Sequence, residues 1–183
     1  MRRLFGRSPE ESAAHAAYTA LVAQARLPVF YADLGVPDTL DGRFEMIALH
    51  LFLVLHRLRA EPAAQLFGQA LYDVMFADMD RSLREMGTGD LSVGKQVKRM
   101  AKGLSGRITA YQAGLAGEGD LGEALRRNLY GTVGAAAPEH VAAMADYLRA
   151  QAAVLAVQPV AQVTAGVLHF APALESAPAT PDV

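Results

Sequence analysis

Apolar residues recur at helical spacing along nearly the whole chain, and the pattern divides into segments with legible starts and stops. Ser8, Pro9 and Glu11 form an N-cap, a proline at the first helical position and a capping-box acid; they open a helix to about Ala25. Pro28 ends that helix, and Val29 to Leu34 predicts one short turn closed by Gly35. From Asp41 to Arg59 the chain is apolar almost all round. Its polar residues fall on two stripes, Glu45 with His56 and His50 with Arg57, so this helix belongs at the centre of a bundle. After Glu61 and Pro62, the residues Phe67, Leu71, Val74, Met75, Met79, Leu83 and Met86 share one broad face, and Gly87 stops the run. Val93, Val97, Met100, Ala101, Leu104, Ile108 and Tyr111 mark the next helix, capped by Asp90 or Ser92 and reaching about Leu115. Asp120 and Glu123 start a helix to about Tyr130, and Pro138 opens the last long one, which ends near Gln158. A shorter piece is expected over 160–166. Strand signals are almost absent, so the expected fold is all-α: a single-domain bundle of about six or seven helices over 9–170. Residues 1–8 are expected to be flexible. Three prolines near the C-terminus and few large apolar residues predict a disordered tail over 171–183.

Composition narrows the function classes. The 183 residues are 52% hydrophobic and carry a net charge of −2, which gives no global attraction to nucleic acid. There is no cysteine, which removes disulfides and thiolate chemistry and agrees with a cytoplasmic, reducing compartment. The densest apolar run, Met46 to Leu55, is ten residues long and contains His50, against the roughly 20 residues that a membrane span needs. The arginines of MRRLFGR are not followed by the apolar stretch of a secretory signal. No nucleophile signature or paired metal-ligand spacing is present among the five scattered histidines, and no cofactor is implied.

The distinctive stretch is Leu71 to Lys102, where an acidic helical pattern passes through a Gly hinge into a basic one. Asp73, Asp80 and Arg84 oppose the apolar face, but Asp78 falls between Leu71 and Val74 inside it. A buried carboxylate must find donors, so Asp78 is expected either to bond to a neighbouring helix or a basic side chain, or to line a groove left for a partner. In the second half Lys95, Lys98, Arg99 and Lys102 cluster opposite the apolar face. Gly94, Gly103 and Gly106 weaken that helix, which suggests close backbone approach. No aromatic residue lies among the bases, which disfavours RNA. Three aspartates on one helix also suggest a magnesium-dependent enzyme acting on a diphosphate, but Asp78 points away from Asp73 and no second acid cluster exists.

The words LYDVMFADMDRSLREMG and GDLSVGKQVKRM resemble the ubiquinol-cytochrome c chaperone family, with similarity extending over about residues 10–165. Asp73, Phe76, Asp78, Asp80, Arg81, Leu83, Arg84, Met86, Gly87, Gly89, Asp90, Val93, Gly94, Lys95, Lys98 and Met100 match the motif. The resemblance implies a helical, non-enzymatic assembly factor for the cytochrome bc complex, respiratory complex III, with cytochrome b as its client and no active site to carry over. It implies a bacterial version acting in the cytoplasm, with transient contact at the inner-membrane surface, and no nucleic-acid partner. The residues expected to bind the client are Asp73, Phe76, Asp78, Asp80, Arg81, Arg84, Asp90, Lys95, Lys98, Arg99 and Lys102. Met75, Met79, Met86 and Met100, clustered around the hairpin, suit either an adaptable client surface or ordinary packing. The alternative to a client-binding groove is a peripheral membrane adaptor using Lys98, Arg99 and Lys102.

Overall fold

A computed structural model of the chain describes residues 8–173, and within them every regular element is a helix. The segments 1–7 and 174–183, where flexibility and disorder were expected, lie outside the described residues. There are eight α-helices: α1 Pro9–Ala25, α2 Pro28–Ala32, α3 Leu40–Leu58, α4 Gln65–Glu85, α5 Asp90–Ala116, α6 Leu121–Asn128, α7 Pro138–Val157 and α8 Val160–Thr164. A short 3-10 turn, Pro62–Ala64, leads into α4. Two of the eight, α2 and α8, are single turns of five residues at the places where short turns were expected.

The all-round apolarity of α3 has the predicted consequence. Every residue from Phe44 to Val54 is buried, and α1, α4, α5 and α7 pack around it. A helix can sheathe itself in this way only when its backbone needs no partner outside itself and its side chains meet protein on all sides. The hydroxyl of Thr39 caps its start by accepting from the Gly42 N–H. At Ser8 and Asp120 the caps are those the sequence announced: Ser8 exchanges hydrogen bonds with Glu11, and Asp120 accepts from the Glu123 N–H.

After α8 the chain runs back along α7 without forming a helix, and two buried glutamines, Gln151 of α7 and Gln158 at its C-cap, hold it there. Gln151 accepts from the Ala171 N–H at 2.8 Å and donates to the Ala171 carbonyl at 3.0 Å; Gln158 accepts from the His169 N–H and donates to the Val167 carbonyl. Each amide side chain serves the strap as a neighbouring strand would. The strap thereby satisfies a backbone that has no secondary structure of its own. The turn into it rests on Gly166, whose φ is +86° and whose missing Cβ would stand 2.5 Å from the Ala13 carbonyl oxygen of α1. Gly166→Ala should therefore cost roughly 1–3 kcal/mol in a urea titration. Gly94→Ala, on an open face of α5, should raise stability by about 0.5–1 kcal/mol.

Candidate functional site

The acidic-to-basic stretch folds as the α4–α5 hairpin. Gly87, at φ +80°, ends α4, and the Thr88 N–H returns to the Leu83 carbonyl in the manner of a Schellman stop. The N-cap of α5 is Gly89, not the expected Asp90 or Ser92; no side chain caps it. Asp90 is the first helical residue, where a negative charge favours the positive end of the helix dipole, and its carboxylate is bound by Arg84. Arg84 also holds Asp80, through Nε at 2.6 Å and Nη2 at 3.2 Å, and this keeps the Asp80 carboxyl below the usual range. One guanidinium thus ties the end of α4 to the beginning of α5.

Asp78 is half-buried and faces α1, where the Tyr18 hydroxyl donates to its Oδ2 at 2.9 Å while Arg81 binds Oδ1. Burial first, and then the neighbouring carboxylate, push the Tyr18 phenol far above its ordinary value, so the hydroxyl stays a donor. The carboxylate inside the apolar arc has therefore found its donors, a tyrosine of another helix and an arginine of its own. Asp73 accepts from Gln69, and Phe76 is half-buried with its ring 4.7 Å from that of Tyr72. The three aspartates thus diverge: one toward α1, one onto Gln69, one onto Arg84. No group of three acids or histidines that could hold a metal ion occurs among the described residues.

The basic half behaves differently. Lys95, Lys98, Arg99 and Lys102 are all exposed, and among the described residues they take part in no ion pair or side-chain hydrogen bond. The acids of α4 do not neutralise them, because the arginines of α4 already hold those acids. Arg107, further along α5, is turned inward onto Glu45 of α3 and lies 5.7 Å from the Phe44 ring centroid. Neither partner of that buried pair was singled out as one from the sequence. The expected close backbone approach at the glycines of α5 does not occur within the fold: a Cβ at Gly94 or Gly106 would meet nothing within 4 Å, and at Gly103 only the Arg107 side chain.

Leu71, Met75, Met79, Leu83, Val93, Met100 and Leu104 of the hairpin are all buried, and of its four methionines named above only Met86 is exposed. A surface hollow lies where α4 packs against α1. It has a volume of about 370 Å³ and is lined by His15, Tyr18, Thr19, Val22 and Arg26 of α1 and by Val74, Ala77, Asp78 and Arg81 of α4. The α1 contribution was missed from the sequence. Its signal was there: Ala14, Ala17, Tyr18 and Leu21 share the packing face of α1, and a tyrosine among them needs an acceptor.

Comparison with known proteins agrees with this architecture. The model of the family described as "Ubiquinol-cytochrome C chaperone" matches residues 32–170, from the end of α2 to the strap. The chain is 30% identical over 148 residues to Protein CBP3, mitochondrial, of Saccharomyces cerevisiae; the match covers 78% of this chain and 44% of CBP3, so the chain spans less than half the length of that relative. The fold superimposes on the crystal structure of the Cbp3 homolog from Brucella abortus with a TM-score of 0.79 and 36% identity, covering 90% of this chain and 92% of the other. The chain belongs to the ubiquinol-cytochrome c chaperone family.

Proposed function

We propose that this protein is a non-enzymatic assembly chaperone for the cytochrome bc complex, that its client is cytochrome b, and that it meets the client at the cytoplasmic face of the inner membrane. The observation that carries the reading is the family match over 32–170, which takes in the whole α4–α5 hairpin. The α1/α4 hollow supports it, because it is open and mixed in character, with Val22, Val74 and Ala77 beside Arg26, Arg81 and the Asp78 carboxylate. A loop of a membrane protein waiting for its partners presents apolar and charged groups together, and such a lining can meet both. No helix among the described residues is long and apolar enough to cross a membrane, so contact with an embedded client is proposed at its exposed loops.

Charge reversal at Asp78 or Asp80 would test this poorly, since both carboxylates hold the fold together through Tyr18, Arg81 and Arg84. Ala77 lines the hollow, is exposed and makes no side-chain hydrogen bond. Ala77→Trp should fill the hollow without disturbing the helices. The tagged chain should recover cytochrome b from detergent-solubilised membranes, and Ala77→Trp should lower that recovery at least tenfold, the cost of losing about 1.4 kcal/mol or more of contact. Undiminished recovery by the folded variant would exclude the hollow as the docking place.

A further inference from the structure

We propose that the outer face of α5, built on Lys95, Lys98, Arg99 and Lys102, docks onto the headgroups of an anionic lipid bilayer. The inference rests on the reading above only in that a membrane-embedded client gives the protein a reason to be there; the surface itself is argued from the fold.

The four cations stand at positions i, i+3, i+4 and i+7, which a helix brings onto one stripe two turns long. Between Asp90 and Glu118 the chain has no acidic residue. Of the two charges that flank the stripe on the same helix, Asp90 is held by Arg84 and Arg107 by Glu45, so neither offsets nor extends it. Every other arginine of the hairpin has a carboxylate partner, and among the described residues these four cations have none. Beyond Lys102 the same side of α5 continues with Ser105, Gly106 and Thr109, all exposed, and a Cβ at Gly106 would meet nothing. The helix therefore offers four long basic side chains and then a low, smooth surface.

This shape distinguishes among anionic partners. The hollows found against α1, α3, α4 and α7 are not lined by these residues, which stand exposed on the plain outside of a helix. No aromatic side chain lies within the stripe to stack on a base, as single-stranded RNA requires. Fluid headgroups need neither a socket nor a stacking partner, since each flexible lysine can find a phosphate independently. Attraction of this kind gives roughly a fivefold gain in partitioning per basic residue and falls with salt, so docking would be reversible.

The test uses the full chain with vesicles of phosphatidylcholine alone and of phosphatidylcholine mixed with phosphatidylglycerol, read by flotation. The chain should float with the mixed vesicles and not with the neutral ones. It should be released when salt rises from about 0.01 to 0.15 M, which shortens the Debye length from about 30 to 8 Å. Replacing Lys98→Gln together with Lys102→Gln should weaken partitioning about 30-fold. Arg126→Gln with Arg149→Gln removes the same charge from other faces and should leave it unchanged. Equal flotation with neutral vesicles, undiminished binding by the lysine variant, or capture of a mixed-sequence RNA in place of vesicles would overturn the proposal. Recovery of cytochrome b in detergent, where no bilayer exists, separates the two readings. If the lysine variant kept that recovery while losing the vesicles, the lipid role would stand apart from client binding. If it lost recovery in detergent, the face would belong to the client and the lipid proposal would fall. Failure of the unmutated chain to recover cytochrome b would refute the client reading and leave the flotation result to decide this one.

Discussion

Replacing Arg107 by leucine should lower the stability of the protein by about 3 kcal/mol. The reason lies in Glu45. It is placed in the most densely packed part of α3, and only 9% of its side chain is exposed, with 21% for Arg107. Arg107 reaches it from α5 with two donors, Nε at 2.6 Å and Nη2. Burial raises the Glu45 carboxyl above its ordinary value in spite of the hydrogen bonds from Arg107, so even the paired carboxylate is held against the cost of desolvation. Without its partner it would have to take up a proton or open the α3–α5 contact to water. The opposite outcome is expected for the pair replaced together: Glu45→Leu with Arg107→Leu leaves no uncompensated charge and should recover most of the loss. Urea titrations of the two single variants and the double variant give the coupling directly. A loss below about 1 kcal/mol in Arg107→Leu would mean that solvent already screens the pair.

The same pair marks the boundary of what local pattern conveys. The centrality of α3, the caps at Ser8 and Asp120, the Gly87 stop and the helical class are all set within a few residues of chain, and each could be read directly. Asp78 was legible as a problem, a carboxylate on an apolar arc, but its solution in Tyr18 lies 60 residues away. Glu45 and His56 share one polar stripe of α3, yet the two serve differently: Glu45 binds a residue 62 positions later, while the Nδ1 of His56 is buried with no hydrogen-bond partner among the described residues. Tertiary partners of this separation leave no periodic trace. The adjacent acidic and basic blocks do not pair with each other: i,i+3 and i,i+4 arginines within α4 reach its aspartates, and among the described residues the lysines of α5 make no ion pair. The methionines and glycines likewise carry a meaning that only exposure decides. Met75, Met79 and Met100 fill the core, and Gly94 and Gly106 face open space where backbone contact was expected.

Acid should weaken the fold through His50 before it protonates most carboxylates. His50 is fully buried, between the rings of Phe30, Tyr147 and Phe170, and both of its nitrogens are engaged. The Met46 carbonyl, 2.8 Å from Nδ1, can only accept, so Nδ1 carries the hydrogen. Nε2 then accepts from the Tyr147 hydroxyl at 2.8 Å, and the Tyr147 oxygen accepts in turn from the Gln24 amide at 3.0 Å. Every member is satisfied with a neutral imidazole, and a second proton would have to displace the tyrosine. Burial accordingly lowers the His50 pKa from 6.5 to about 4, with the bond to Met46 opposing it weakly. The unfolded chain binds this proton first. Stability is therefore complete above pH 6.5 and declines as pH falls toward 4, by up to about 3 kcal/mol. His56, half-buried and also lowered by burial, acts in the same sense, whereas the raised Glu45 carboxyl acts in the opposite one. The difference between the unmutated chain and His50→Gln isolates the one residue. The unmutated chain should be the more stable at pH 7, and its advantage should shrink by roughly 3 kcal/mol by pH 4. A constant difference across that range would show that His50 is protonated in the folded protein, and the tyrosine–histidine bond would then have to run the other way.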